Sequence, residues 1–278
     1  MKISIITPVY NAEKSIERTI QSVLNQKNNL ELEYIIIDGG STDKTLEIIN
    51  RYSPELSVIS EKDKGVYDAM NKGVSIATGD IIGIINSDDW YNDGALKVVE
   101  EAFTKNLDVS IIHSPVNNYL GEKFLSTFQP GNLENLLFKI TVAHPSCFVK
   151  RELYNQIGGF DLSYSIAADY DFIFRAYTSG AKFLKVDFPL ASFSMDGISS
   201  KLSNKIQLIH ESKRVGYQFA KIKSPQLASQ HQNFYQKWYI RELATLPFKY
   251  FDPFIALRIK SYLRSKFGNL SSDRYGAW

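Results

Sequence analysis

Four strand-sized apolar runs, at residues 3–7, 34–38, 56–60 and 80–85, alternate with segments whose apolar residues recur at helical spacing. Ile16, Ile20, Val23 and Leu24 mark the first helix, residues 45–52 the second and residues 67–77 the third. Such alternation forms an α/β fold, a mostly parallel sheet with helices on both faces. Open sheets of this kind bind ligands along the edge where the strands reach their carboxyl ends. The fourth run stops at that edge in Asn86-Ser87-Asp88-Asp89. Paired carboxylates there can hold a divalent cation against a diphosphate. The same four residues can equally make a turn and cap a helix near Asp93. No Gly-x-Gly-x-x-Gly follows the first run, which argues against a dinucleotide-binding oxidoreductase.

Residues 108–128 are strand-like with Pro115 and Gly121 as punctuation, and Pro130-Gly131 turns the chain before residues 132–138. Residues 142–150 are expected as a strand, 151–157 and 169–178 as helices, and 182–193 as a strand. From residue 199 to about 266 the pattern is mainly helical, interrupted by Pro225, Pro247 and Pro253. Charge changes at the same place: residues 1–200 carry 18 Lys and Arg against 26 Asp and Glu, and residues 201–278 carry 14 against 4. Two units are expected, an acidic α/β body over residues 1–199 and a basic, aromatic, mainly helical C-terminal extension over residues 200–278. No apolar run reaches the ~20 residues of a spanning helix, and the first residues resemble a strand rather than a signal peptide. Together with the single Cys147 this predicts a cytoplasmic protein, and Cys147 itself is expected as a buried thiol rather than a nucleophile.

Five segments then occur in a fixed order: Thr7-Pro8-Val9-Tyr10-Asn11, Asp38-Gly39-Gly40-Ser41-Thr42-Asp43, Gly65-Val66-Tyr67-Asp68-Ala69-Met70-Asn71-Lys72-Gly73, Asn86-Ser87-Asp88-Asp89 and Ala168-Asp169-Tyr170-Asp171. Together they closely resemble the family 2 glycosyltransferases of the bacterial surface-polysaccharide type, over about residues 1–195. The resemblance implies a GT-A fold, a nucleotide-sugar donor, a divalent metal and inversion at the anomeric carbon. Thr7, Pro8, Tyr10 and Asp38 are then expected to line the nucleotide, with the Thr7 hydroxyl and Asp38 carboxylate toward the base. Asp38 also suits an Asx-turn into Gly39, Asn11 a helix N-cap, and Asp43 the support of its own turn. Asp68 and Asn71 lie one helical turn apart, on a face expected to meet the donor.

Asp88 and Asp89 stand in the family's metal motif, with Asn86 where its first carboxylate often stands. Mn²⁺ or Mg²⁺ is the expected cofactor, held by Asp88, Asp89, diphosphate oxygens and water. His144 is either a further ligand or acceptor contact, or a structural residue. The family's base is an acid at a helix start, commonly in Glu-Asp. Here the pair is Ala168-Asp169, so Asp169 is expected as the base and Asp171 is the second choice. A helix start also suits Asp169 without any catalysis.

The implied reaction moves a sugar, from a UDP-sugar by preference, to a growing glycan or a lipid-linked acceptor in polysaccharide biosynthesis. The cationic and aromatic residues of segments 234–239, 248–251 and 258–267 could lie at a bilayer interface, making the protein peripheral at the inner face of the cell membrane. Alternatively these helices pack back on the body and leave a solvated basic face. No nucleic-acid motif accompanies the charge, and no nucleic-acid partner is expected. A nucleotidyltransferase would want a Gly-rich, basic phosphate loop where Thr7-Pro8-Val9-Tyr10-Asn11 stands. A degenerate nucleotide-binding scaffold is favoured by Asn86 and Ala168 and opposed by Asp88, Asp89 and Asp169.

Overall fold

The structure, a computed structural model, describes residues 1–27, 30–195 and 202–244. The elements run β1 (Lys2–Val9), α1 (Ile16–Leu24), β2 (Glu31–Asp38), α2 (Thr45–Asn50), β3 (Ser57–Ser60), α3 (Val66–Ile76), β4 (Ile81–Ile84) and β5 (Trp90–Tyr91). They continue with α4 (Ala95–Lys105), β6 (Ile111–His113), β7 (Val116–Leu120), β8 (Lys123–Phe128), β9 (Phe148–Lys150), α5 (Arg151–Ile157), α6 (Ala168–Thr178), β10 (Phe183–Lys185) and β11 (Ala191–Ser194). A helical hairpin, α7 (Leu202–Lys223) and α8 (Pro225–Ala244), closes the described chain. Short 3₁₀ turns at Leu133–Leu137 and His144–Ser146 precede β9.

Seven strands form the central sheet in the order β10-β6-β9-β4-β1-β2-β3, parallel throughout except at β9. A second sheet, β5-β11-β7-β8, stands beside it. Strand parity sorts the core into two halves. Ile3, Ile5, Tyr34 and Ile36 face α1, α2 and α4, whereas Ile6, Ile35, Ile37, Ile82 and Ile84 face α3, α5 and α6. Fully burying one such Ile stabilises by roughly 1.5–3 kcal/mol, which makes a one-residue slip of β1 or β2 prohibitive. Gly73 lets α3 lie directly on β1, since a β-carbon there would sit 2.4 Å from Ile6 Cγ2.

Two expected strands are shorter than their apolar runs, each because of a proline. Residues 142–147 are not strand: Pro145 has no N–H for a ladder and sits in the 3₁₀ turn that leads into β9. The run 182–193 divides into β10 and β11, which belong to different sheets, with Pro189 in the crossing. Asn11 caps no helix, because α1 starts only at Ile16 and its N-cap is Ser15.

Pro225 marks the first turn of α8, where its missing N–H is harmless, and Ser224 Oγ accepts the Leu227 N–H at 3.1 Å. The hairpin packs back on the body: Leu208, Val215, Phe219, Ala220 and Leu227 join the core half that contains α6. Among the described residues no helix is long and apolar enough to cross a membrane. The basic aromatic segments 248–251 and 258–267 lie outside the described residues.

Candidate active site

Because β1, β2, β3 and β4 run parallel, their carboxyl ends meet at one lip and deliver Val9, Asp38, Ser60 and the Asn86–Asp89 turn side by side. The first two lip loops are laced together. Asn11 Oδ1 accepts the Thr42 N–H at 2.8 Å while the Asn11 N–H donates to Ser41 Oγ at 2.8 Å. Asn11 adopts φ +49 to do so, a left-handed conformation that Asn tolerates better than most residues. The N–H groups of Ala12 and Glu13 donate to Thr45 Oγ1 and Asp43 Oδ2, at 2.8 and 3.1 Å. Asp43 also accepts the Thr45 N–H at 3.0 Å, so it supports its turn as its position suggests.

Asp38 is fully buried at the end of β2. Its carboxylate accepts the N–H groups of Gly40 and Ser41 at 3.1–3.2 Å, Ser41 Oγ at 2.5 Å and Ser60 Oγ at 2.6 Å. The Asx-turn is therefore real, and Asp38 fixes the floor of the lip between β2 and β3. Thr7 departs from expectation. Parity turns its side chain into the core half under α1 and α2, where Oγ1 lies 3.1 Å from the hydroxyl of buried Tyr34. A fully buried Thr7 does not offer its hydroxyl to a base edge. Pro8 is buried beside it, and Tyr10 projects from the lip with 62% exposure.

The Asn86–Asp89 turn divides two carboxylates by environment. Asp89 is fully buried, with Oδ1 accepting the Ser194 N–H at 3.0 Å and Oδ2 the Asn86 amide at 3.2 Å. Burial first, then the charge of Asp88, pushes Asp89 well above the usual carboxylate range. With one oxygen on the Ser194 N–H and the other on the Asn86 amide, Asp89 clamps the turn to β11 instead of standing open as the metal ligand expected of it. Asp88 stays partly exposed while α1 holds the turn's main chain, through Arg18 to Asp88 O at 3.0 Å and Thr19 Oγ1 to Asp89 O at 2.7 Å. Asn86 Oδ1 is a buried acceptor without a hydrogen-bond partner. Among the described residues no three His, Cys, Asp or Glu converge as a closed metal site. Asp88 and the spare Asn86 oxygen are hard donors suited to Mg²⁺ or Mn²⁺, with most positions left to other ligands.

The second half of the site is the first turn of α6. Asp169 is 4% exposed there, and its Oδ1 lies 3.1 Å from the hydroxyl of Tyr67, in the first turn of α3. The same hydroxyl lies 2.7 Å from Ile166 O, so its single proton is shared between these two acceptors. Asp171 points elsewhere: Arg175 Nε donates to Asp171 Oδ2 at 2.7 Å, and the same guanidinium holds the carbonyls of Ile157 and Gly159. That ion pair removes the second-choice base from contention. Asp68 accepts the Lys64 N–H at 3.0 Å and lies 3.6 Å from Lys72 Nζ, with its side chain 18% exposed. Asn71 does not join it at a donor face. Its amide clamps the main chain of Phe160, donating to O and accepting from N, both at 2.8 Å.

His144 is buried in the 3₁₀ turn before β9, with its ring edge against Phe160. Cys147 is buried between that turn and β9, its thiol pushed up by burial and then by the charge of Asp169. It is a buried thiol, as its sequence context suggests.

A family model described as Glycosyl transferase family 2 matches residues 4–158, more than half of the chain. The chain belongs to glycosyl transferase family 2. This glycosyltransferase is 33% identical over 187 residues to a PGL/p-HBAD biosynthesis glycosyltransferase of Mycobacterium bovis, covering 64% of this chain and 70% of the relative. It is 34% identical over 176 residues to the chondroitin synthase of Escherichia coli, covering 61% of this chain but only 25% of that one. Among solved structures it superposes on the mannosyltransferase PcManGT of Pyrobaculum calidifontis, in complex with GDP-Man and Mn²⁺, with a TM-score of 0.62 and 18% identity, over 95% of this chain and 80% of the other. Against residues 1–349 of S. aureus TarS in complex with UDP-GlcNAc the TM-score is 0.61 at 19% identity, over 79% and 71% of the two chains. These likenesses establish the GT-A fold.

Several residues of this glycosyltransferase's lip escaped the sequence analysis. Ser41 and Ser60 serve Asp38, Ser194 serves Asp89, and Arg175 serves Asp171. Glu211 on α7 accepts the N–H groups of Ser165, Ile166 and Ala167 at 2.8–3.0 Å. A signal for Glu211 did exist, since it is one of four acids against fourteen Lys and Arg in residues 201–278.

Proposed function

We propose that the enzyme transfers a sugar with inversion from a nucleoside-diphosphate donor, a UDP-sugar first among candidates, to a hydroxyl of a growing glycan or lipid-linked acceptor. Cell-surface polysaccharide assembly at the inner face of the membrane is the proposed setting. The observation that carries this reading is the contrast between two carboxylates at the lip: partly exposed Asp88 at the end of β4, and Asp169 held by Tyr67 at the start of α6. In support, solved proteins of the same fold hold UDP-GlcNAc, or GDP-Man with Mn²⁺.

In this mechanism Asp88, with the spare oxygen of Asn86, would hold Mn²⁺ or Mg²⁺. When bound, the cation neutralises charge on the leaving diphosphate. Pro8, Tyr10, Asp38 and Asp68 border the donor, Asp38 by fixing the loop rather than by direct reach. Asp169 accepts the proton of the acceptor hydroxyl as that oxygen forms its bond to C1. The bond from C1 to the diphosphate oxygen breaks on the opposite side, so the anomeric centre inverts.

The test is calorimetric titration of UDP and GDP, with and without Mn²⁺, on the wild type and Asp88→Ala. The nucleotide that binds then selects the sugar donors for a nucleotide-release screen with glycan and lipid-linked acceptors. Metal-dependent binding lost in Asp88→Ala is expected. Transfer is expected to vanish in Asp169→Asn at wild-type nucleotide affinity. Binding of neither nucleotide under any condition would refute the enzymatic reading and favour a scaffold.

A further inference from the structure

We propose that Glu211 is a positioning residue for the base-bearing turn, so that the C-terminal hairpin takes part in catalysis. The inference rests on Asp169 as the base. Ser165, Ile166 and Ala167 present three consecutive N–H groups just before α6, and Ala167, the N-cap, has no side chain able to satisfy any of them. Successive N–H groups of this kind make a concavity suited to an anion. The anion here is internal. Glu211 is 9% exposed, and its Oε2 accepts all three N–H groups at 2.8–3.0 Å. Gln207 holds the other oxygen at 2.9 Å. The negative charge also sits at the positive end of α6. Position 168 is Ala, and Asp171 is taken up by Arg175, so the carboxylate that meets these N–H groups comes from another helix.

A short chain of contacts carries the constraint to the base. The Ile166 N–H is fixed by Glu211, the Ile166 carbonyl accepts the Tyr67 hydroxyl at 2.7 Å, and that hydroxyl lies 3.1 Å from Asp169 Oδ1. One turn along α7, Arg214 donates to Ser163 O and Oγ at 2.9 Å and lies 3.8 Å over the Tyr164 ring. Gln207, Glu211 and Arg214 thus form one stripe of α7 that grips residues 163–167. A base displaced by an ångström can lose about a hundredfold in rate, and Glu211 is the group that fixes the main chain from which Asp169 starts.

The experiment compares Glu211→Ala, Glu211→Gln and Val215→Ala, the last a buried apolar residue of the same helix whose side chain cannot hydrogen-bond the main chain of residues 163–167. Turnover is measured with the donor and acceptor pair found in the release screen, nucleotide affinity by calorimetry with UDP or GDP plus Mn²⁺, and main-chain protection at residues 163–169 by hydrogen exchange. Glu211→Ala should lower kcat about 100-fold with the nucleotide Kd within about twofold and faster exchange at Ser165, Ile166 and Ala167. Glu211→Gln keeps one acceptor oxygen and should recover to within about tenfold of wild type. Should Glu211→Ala fail to accumulate, Glu211→Gln against Val215→Ala carries the comparison. Val215→Ala should lose Tm and keep kcat. An equal kcat loss in Val215→Ala would overturn the inference, as would unchanged kcat in the Glu211 variants while Asp169→Asn is inactive. Active Asp169→Asn would instead strike the base assignment itself.

Discussion

Asn71 offers a quantitative trial, because its sequence context points to the donor and its side chain points to Phe160. Asn71→Ala leaves the Phe160 N–H and carbonyl, both bonded at 2.8 Å, without their partner in a part-buried site. At about 1–3 kcal/mol for each of the two unmade bonds, the loss is roughly 2–6 kcal/mol, or a Tm lowered by roughly 4–12 °C in a chain of this size. The neighbouring glycine makes the trial sharper. A β-carbon on Gly159 would lie 2.3 Å from Asn71 Oδ1, and no other group comes nearer than the rest of that same amide. Gly159→Ala alone should therefore destabilise by about 1–3 kcal/mol through overpacking. With Asn71→Ala in place the obstruction is gone. Gly159 is not among the glycines at positive φ, so alanine suits its backbone and even restricts the unfolded chain. The double variant should be no less stable than Asn71→Ala, a coupling of about 1–3 kcal/mol between residues in contact. Thermal melts of the four proteins measure it, and calorimetry with UDP and Mn²⁺ should give one Kd for all four. Additive losses, or a wild-type Tm with weakened nucleotide binding in Asn71→Ala, would refute the clamp and return Asn71 to the donor.

Other consequences are simpler. Asp171→Asn should keep transfer while lowering Tm, because Asp171 serves Arg175 and the 157–159 loop, and loss of transfer at full stability would reinstate it as a base. Asp38→Asn should cost about 1–3 kcal/mol in a thermal melt, since its amide NH₂ must face backbone N–H groups that cannot turn away; Asp88→Asn, partly exposed, should leave Tm unchanged, and the reverse order would contradict the assignment. His231 is buried against Phe138, Tyr217 and Tyr235, and burial pushes its pKa down from 6.5 to about 4. Below 6.5 the unfolded chain takes up a proton that the folded chain refuses until about 4, so stability should fall across that window, by up to about 3 kcal/mol. His231→Phe should flatten the slope in pH-dependent denaturant melts; an unchanged slope would place the titration elsewhere.

The sheet was legible because strand parity and helical periodicity are local. Residues 3–7 and 34–38 extend in the structure only by pairing along a neighbour already in register. The two misjudged strands, 142–150 and 182–193, each contain a proline that their apolar content outweighed. The types of residue at the lip were legible too, since Asp at a strand end and at a helix start narrows the chemistry. Orientation was not. Asn71 meets Phe160 across 89 positions, Asp89 meets Ser194 across 105, and Glu211 meets Ile166 across 45. No periodicity spans such distances. Nor does a motif distinguish a carboxylate that holds a main chain from one that faces a substrate, since both belong at the same strand end.

That ambiguity resolves once each carboxylate is assigned its donors. Loops converging on a sheet edge bring N–H groups that no strand or helix satisfies, and buried donors must be met by something. Asp38 meets those of Gly40 and Ser41, Asp43 those of Glu13 and Thr45, Asp89 that of Ser194, and Glu211 those of residues 165–167. Asp171 neutralises the arginine that holds two further carbonyls. Five acids are thus committed to keeping loops in place, and rigid loops are what a transfer reaction needs around its two working groups. Asp88 and Asp169 differ from these five. The turn of Asp88 is held through its main-chain carbonyls by Arg18 and Thr19, and Asp169 meets a tyrosine hydroxyl rather than an amide. In the proposed mechanism these two carboxylates do the chemistry, while neighbouring groups hold the main chain around them.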